Sequence, residues 1–450
     1  MAAPASASSS DGRRTTAAKG APAMNIQRIK PTDFTRTPME PSPAPDLGHA
    51  MIPKERYTSA EFMQLEWEKV WTKVWLLGCR ENDIANPGDY CVTEMGRQSI
   101  LLIRQPDYRV RAFHNVCQHR GNQLRPTGYG HAESFVCGYH FWEYNLDGSF
   151  RNVLDAHTFP QGVPCRGLME LPCDTWGSFV WYSLDPKVEP LRDFLGVVPE
   201  HLDPYHFERM HMTRDWTIEW DTNWKNSVDA FNESYHVRAT HPQLLYYLND
   251  IDLQIDFYDR HSRYIVPFAT VSPRVGETTE IPPLLKLIMR EAGMTPGEFD
   301  GRVPEIRKAV QRWKREHGHE EGLDYSDLND DQLTDNFNYT IFPNITFNIY
   351  CDDVMVFRQR PHPTDPNKMF FDMQNYRLFK NSEQPPTRRV AHKNYKHGEV
   401  SLTVVVDQDA ANLPNVQRGM HSDGFPGLWL SDQEIRIRHF HKVMDEYLAR

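Results

Sequence analysis

A chain of 450 residues exceeds what one hydrophobic core usually holds, so at least two domains are expected. At 39% hydrophobic, 25% charged and 12% aromatic it has a globular rather than a disordered profile. No apolar run approaches the roughly 20 residues of a membrane-spanning helix, and a formal charge of −11 gives no basic footprint for nucleic acid. Seven sparse cysteines argue against a disulfide scaffold and for a reducing, cytoplasmic setting.

Residues 1–45 are rich in Ala, Ser, Pro and Gly and read as a disordered tail. Arg13-Arg14 lacks the apolar segment an export signal needs, and Met24 is as open a start as Met1. Order is expected near Ile52. A helix then follows Tyr57, with Thr58 or Ser59 as N-cap and Phe62, Leu65, Trp67, Val70, Trp71 and Val74 at helical spacing. From Trp75 to about Asp185, short β-rich runs (Ser99–Ile103, Phe135–Val136, Ser178–Trp181) alternate with turns such as Pro87-Gly88-Asp89 and Asp147-Gly148, which predicts an all-β module. Asp185 to Pro190 reads as a linker. Beyond it, strands over Thr340–Ile349, Asp353–Arg358 and Phe370–Leu378 mix with helices, chiefly in 282–335, where Ile306, Val310 and Trp313 share a face. The chain thus divides into a tail (1–45), a helix plus β module (46–190) and an α+β region (191–450).

Two short motifs stand out in the β module. Cys117-Gln118-His119 and Cys137-Gly138-Tyr139-His140 are separated by 17 residues. Thiolates and neutral imidazoles both suit soft or borderline metals. From the content of Cys and His, each motif arises by chance about 0.3 times, so the pair on neighbouring loops is informative. A structural zinc site wants a closed tetrahedron and usually pairs Cys with Cys in one knuckle. Here each loop offers one thiolate and one imidazole, beside Gly121 and Gly138. That division suits a binuclear cluster with both cysteines on one iron and both histidines on the other, the Rieske [2Fe–2S] arrangement.

A non-haem Fe(II) site for O2 chemistry takes two histidines and a carboxylate on one face and keeps other positions open. The chain has five His-x4-His pairs, at His114/His119, His201/His206, His206/His211, His236/His241 and His392/His397. About one is expected by chance, so context must choose. Asn223-Trp224-Lys225 and Asp229-Ala230-Phe231-Asn232-Glu233-Ser234-Tyr235 precede His236, and Pro242 interrupts the element after His241. Glu233 falls one helical turn before His236, within reach of its imidazole. The carboxylate ligand must come from far along the chain, with Asp407 and Asp409 as candidates. His201, His206, His211, His392 and His397 are expected at the surface or in packing, and Cys79, Cys91, Cys165, Cys173 and Cys351 as small buried or inert thiols.

Together these motifs resemble the Rieske non-haem iron oxygenase α subunits, the aromatic ring-hydroxylating oxygenase family. Val116–Gly121 and Cys137–His140 look like its cluster loops, Glu66–Trp75 and Pro87-Gly88-Asp89-Tyr90 like its N-terminal flank, and N-W-K … E-x2-H-x4-H-P like its iron motif. Two departures are Phe141 before Trp142, where Gly or Ala is usual, and Ala230, where Asn is common. The resemblance covers roughly residues 50–445. It implies an α+β chain: a Rieske β-domain with its cluster on Cys117, His119, Cys137 and His140, joined to a helix-grip (START/Bet v1-like) catalytic domain whose antiparallel sheet wraps around helices. It implies Fe2+ on His236, His241 and Asp409, because the family's ligand Asp lies eight residues before the Gln of a Gln-x-Gly segment, here Gln417-Arg418-Gly419. In the family the acid at the position of Glu233 bridges subunits, which implies an electron route His140–Glu233–His236 across a trimer interface. Asp335–Asn344 is similar to the strand that starts the substrate-facing sheet, with Phe231, Phe337 and Phe342 as pocket or core.

The function so implied is that of a terminal oxygenase. Electrons reach it singly from a separate reductase or ferredoxin and ultimately from NAD(P)H; the chain itself has no nucleotide-binding glycine motif. Hydroxylation of an aromatic small molecule is the first expectation, and O- or N-demethylating monooxygenation, including of quaternary ammonium substrates, the alternative. A zinc or electron-transfer protein using the Cys/His loops alone is the remote reading, since it leaves the second constellation without purpose. A homotrimer is expected, with or without a β subunit, and no nucleic-acid or membrane partner. The substrate, the number of oxygens transferred and the reductase stay open in the sequence.

Overall fold

The computed structural model describes residues 40–42, 45–164, 166–276 and 278–450. The expected tail lies outside them save for 40–42 and 45, and order begins before Ile52. Ser42 is tied down: its backbone N donates to Asp256 Oδ1 (2.7 Å) and its Oγ to the carbonyl of Phe257 (2.7 Å). Those bonds satisfy polar groups that a Pro-rich composition does not advertise.

Ser59, not Thr58, caps the first long helix, α1 (Ala60–Glu66), accepting from Phe62 N at 3.0 Å. Thr58 Oγ1 turns back to the carbonyl of Lys54. The helix continues as a π turn over Trp67–Trp71. The wider turn sets Glu66 and Trp71 facing inward together, and both are fully buried.

The β module holds a five-stranded sheet in the order Glu170–Leu171, Val110–His114, Gln98–Arg104, Asp89–Met95, Gly128–His131, all antiparallel. A three-stranded sheet (Cys173–Trp176, Phe179–Ser183, Trp75–Arg80) leads into the rest of the chain. A smaller one (Phe135–Val136, Glu143–Tyr144, Phe150–Asn152) carries the second Cys/His loop. The expected linker is strapped down: Trp75 Nε1 donates to the carbonyl of Glu189 (2.8 Å), and Glu189 pairs with Arg260.

The remainder is built on an eight-stranded sheet in the order Gln254–Tyr258, His261–Val266, Asn336–Ile341, Ile345–Ile349, Asp353–Pro361, Met369–Arg377, His211–Trp220, Lys393–Lys396. Every neighbour is antiparallel except the last pair. The run Thr340–Ile349, expected as one strand, is two strands joined at Phe342-Pro343-Asn344; a Pro-Asn turn inside an apolar run reads as strand by composition alone. Four further helices matter below: α2 (Trp224–Ala230), α3 (Val237–Thr240), α4 (Val404–Met420) and α5 (Ile435–Leu448).

Strand alternation sorts the sheet into two faces. Phe337, Tyr339 and Ile341 enter the main apolar core, as does Phe342. Asn336, Asn338 and Thr340 point the other way, with Tyr264 and Asn348 paired to Asn338 on either side. Phe231 stacks on that second face, its ring 4.8 Å from Phe357 and 5.9 Å from Phe371. Phe337 and Phe342 are therefore core, and the side facing α2 and α3 is polar along this strand. Among the described residues no helix is long and apolar enough to cross a membrane.

Candidate metal centres

The two Cys/His loops are copies of one turn. Cys117 N donates to Asn122 O (2.8 Å) and Gly121 N back to Cys117 O (3.1 Å); Cys137 N donates to Trp142 O (2.8 Å) and Phe141 N to Cys137 O (3.0 Å). The fifth residue of each turn is left-handed, at φ +76° for Gly121 and +57° for Phe141. Glycine adopts that conformation freely; phenylalanine pays for it, so the departure at Phe141 is a strained one. The exposed Phe141 ring places no load on the interior.

Both thiols are buried. Cys117 Sγ lies 3.3 Å from Tyr144 OH, which also accepts from Gln118 N (2.9 Å), and Asn122 Nδ2 lies 3.6 Å from Cys137 Sγ. Burial pushes the Cys117 thiol up; for Cys137 burial is outweighed by the Tyr139 and His140 amides, which hold it below the usual thiol range. His119 stacks on Trp142 (4.8 Å, 10°) and meets His140 edge-on (4.5 Å). Its Nδ1 is buried with no partner among the described residues, as a ligand nitrogen is without its metal. Two thiolates with amide donors around them and two imidazoles side by side fit a [2Fe–2S] cluster.

The second site starts at α2. Asn223 caps it by accepting from Lys225 N (3.0 Å), and the chain then turns out of the helix through Glu233 to His236 and α3. Lys225 points back into the core onto Glu66 (Nζ–Oε1 2.5 Å), both essentially unexposed. Burial lowers the Lys225 pKa and raises that of Glu66, their mutual attraction opposing both shifts. Gln417 of α4 joins the segments: its Oε1 accepts from Asn223 N (2.8 Å) and Asn226 Nδ2 (2.9 Å), and its Nε2 donates to Tyr57 O (3.2 Å) and Asn367 Oδ1 (2.8 Å).

On the same helix Asp409 faces the histidines. One ligand atom each from His236, His241 and Asp409 lies within 4.8 Å of the other two, the one such group among the described residues. Asp409 Oδ1 is 2.8 Å from His241 Nε2 and 3.5 Å from His236 Nε2. His241 Nδ1 lies 2.8 Å from Gln408 Oε1, whose oxygen is identified by the Gln243 amide that donates to it (2.7 Å). His236 Nδ1 lies 2.5 Å from Glu233 Oε1. Both rings thus donate from Nδ1 and present Nε2 to the Asp409 carboxylate, so two imidazole nitrogens and a carboxylate oxygen converge in a donor set that fits a divalent metal. Burial alone would lower the His236 pKa, but Glu233 and Asp409 raise it. Asp407 is elsewhere: it accepts from Ser401 Oγ and Leu402 N at the start of α4.

Residues 207–450 match the family profile of the ring hydroxylating alpha subunit (catalytic domain), and residues 74–164 that of the Rieske [2Fe-2S] domain. The chain belongs to the Rieske oxygenase α subunits. Among curated relatives, the glycine betaine monooxygenase oxygenase subunit of Pseudomonas aeruginosa is 29% identical over 194 residues, 43% of this chain and 45% of that protein. The carnitine monooxygenase oxygenase subunit of Escherichia coli K12 is 30% identical over 232 residues, 49% and 59% of the two chains. The large oxygenase component of the 2,4-dinitrotoluene dioxygenase system of Burkholderia is 32% identical over 197 residues, 42% and 44%. The matched part spans about half the length of these relatives. In fold, the quaternary ammonium Rieske monooxygenase CntA with L-carnitine superposes at TM-score 0.63 and 20% identity, covering 88% of this chain and 95% of that one. Naphthalene 1,2-dioxygenase with indole follows at 0.62 and 18%, covering 89% and 92%.

In this Rieske oxygenase α subunit the remaining histidines of the sequence reading stay away from the metal site. His201 bonds Tyr339 OH (3.1 Å), His206 pairs with Glu208 and Asp327, and His392 with Asp215. Cys79, Cys91 and Cys351 are buried, Cys173 is partly so, and Cys165 lies outside the described residues. Sequence reasoning missed Gln408, Tyr144 and Gln417 as supporting groups. Gln408 was signalled by lying between the two candidate aspartates, and Tyr144 by alternation with Trp142; nothing local marks Gln417 as a four-way tie.

Proposed function

We propose that this chain is the terminal oxygenase of a multicomponent system, with Cys117, His119, Cys137 and His140 holding the cluster and His236, His241 and Asp409 holding Fe2+. The observation that carries the reading is the convergence of those three side chains with both imidazoles already set to the Nδ1–H form. When bound, the cluster supplies single electrons and the iron activates O2. The protein's part is to fix the ring orientations through Glu233 and Gln408, to keep the site dry and to hold substrate. Electrons come from a separate reductase or ferredoxin. The exposed Tyr139 and Phe141 beside His140, and the exposed Tyr235 beside His236, support a head-to-tail trimer in which His140 of one copy faces Glu233 of the next.

The reaction favoured is monooxygenation at a methyl carbon on nitrogen. The ammonium methyl, O2, two electrons and two protons give the hydroxymethyl compound and water, and the former collapses to formaldehyde and the demethylated amine. The betaine and carnitine relatives and the polar sheet face favour this over attack on an aromatic hydrocarbon, which was the first expectation. Ring hydroxylation is kept as second reading on the dinitrotoluene dioxygenase relative. Reconstitution with a reductase decides: formaldehyde from a trimethylammonium substrate is expected, and a dihydrodiol from an arene selects the second reading. A purified protein with zinc and no acid-labile sulfide would overturn both.

A further inference from the structure

Arg436, on α5, is fully buried. Among the described residues no carboxylate pairs with it. Its guanidinium donates instead to Ser262 Oγ (3.0 Å), Ser262 O (3.4 Å), Asn338 Oδ1 (3.0 Å) and Thr340 Oγ1 (2.8 Å), and lies 4.4 Å over the Tyr264 ring. The nearby Asp256 is already matched by Arg263 at 2.6 Å. A buried cation with no counter-charge is costly, and burial pulls this guanidinium down to about 9.

A guanidinium only donates, so it fixes the direction of every bond beyond it. Asn338 turns its oxygen to Arg436, and its Nδ2 therefore donates to Asn348 Oδ1 (2.9 Å). Thr340 Oγ1 accepts from Arg436, and its hydroxyl proton goes to Asn232 Oδ1 (2.5 Å). Each chain ends in an amide nitrogen, Asn348 Nδ2 and Asn232 Nδ2, and neither has a partner among the described residues. Asn348 is 9% and Asn232 1% exposed. Other buried amides are unfilled too, Asn336 Nδ2 among them, so what sets these two apart is where they lie. Their position is specific: Asn232 immediately precedes Glu233, and Asn348 lies across from Asn338 on the face that carries Tyr264. Tyr264 in turn is close enough to the site for Glu233 and Asp409 to push its phenol up, after burial.

We propose that the amides of Asn232 and Asn348, polarised by Arg436, receive a carboxylate at the far end of the substrate from the oxidised carbon. The proposal rests on the oxygenase reading and names the substrate class for that site: anionic at one end, with a methylammonium or ring at the other. A carboxylate accepts several hydrogen bonds at once and supplies the counter-charge that the fold omits. Contact through amides rather than the guanidinium itself lets the ligand leave without baring a buried cation.

The test is binding, by calorimetry on the intact, anaerobic, unreduced protein. Two matched pairs are used: γ-butyrobetaine with its methyl ester, and 4-phenylbutanoate with its methyl ester. At least one acid is expected to bind about tenfold or more tightly than its ester. Asn348→Leu and Thr340→Val, each interrupting one chain, bring the acid down toward the ester while the melting curve stays cooperative. Arg436→Gln abolishes the preference; where it does not fold, the two milder variants carry the result. Equal affinities, no binding of either acid, or a preference that survives both milder variants overturns the proposal. None of these outcomes touches the oxygenase reading, which is judged separately by iron content and formaldehyde release.

Discussion

The two candidate metal centres are assembled in opposite ways. The Cys/His region takes every candidate donor from residues 117–140, on two equivalent turns, the second of which sets Tyr139 and Phe141 in solvent. The His/His/Asp region takes donors 168 residues apart, and its geometry depends on buried polar contacts among α1, α2 and α4. A site made of turns needs only its own backbone to be correct. A site made of distant segments needs the whole domain, so perturbation of packing reaches it first.

That contrast can be broken most severely by removing ligands. Asp409→Ala is expected to lose the mononuclear iron and, on the order of a thousandfold or more, turnover, while the visible absorption of the cluster persists. Cys137→Ser gives the converse in metal analysis. Loss of both centres in either variant would show that they are not independent. Glu233→Gln sharpens the picture, since it is expected to keep both metals and to remove only the carboxylate proposed to link them. Product per oxidised cluster should fall roughly 10–100-fold in single-turnover measurements.

Next in size is a purely structural change. Lys225→Met strands Glu66 as a buried charge and should lower stability in urea by about 3–5 kcal/mol, whereas adding Glu66→Leu recovers most of it. Cluster absorption is the control that must outlast the iron. The gentlest effect is a slope with pH. Asp229, fully buried against Tyr57 OH (2.6 Å), is raised by burial to about 7. The native state then binds more protons than the unfolded chain between about pH 4 and pH 7, so this group makes the metal-free protein less stable as pH rises through that window, by up to about 1.4 kcal/mol per unit. Asp229→Asn should flatten the slope in thermal melts; an unchanged slope would assign it to another group.

How much was legible follows the same division. The Rieske domain was readable because four candidate donors fall within one short stretch of it. Ser59 as a cap and the strands at Ser99 and Asp353 were readable because their signals are local. Asp409 could be preferred over Asp407 only through family spacing; the bonds that separate them are tertiary. Composition made Phe337 and Phe342 pocket candidates, but strand parity sends Phe337 to the far face, and the turn packs Phe342 against Phe440 and Tyr447 of α5. Parity cannot be assigned until the strand's ends are known, and the Pro343 break concealed them. The buried Glu66–Lys225 pair and the anchoring of Ser42 had no sequence mark, because each depends on a partner far away in the chain.

α4 carries Asp409 and Gln417 on one side of the same rod, separated by a little over two turns, and Gln417 grips the caps and loops of its neighbours. The rod therefore acts like a key notched at both ends. Between the notches Ala410 and Leu413 are held in the core, and adding or deleting one residue there would swing Asp409 about 100° around the axis. The spacing of eight residues between Asp409 and Gln417 is therefore what ties the carboxylate's bearing to the grip at the other end.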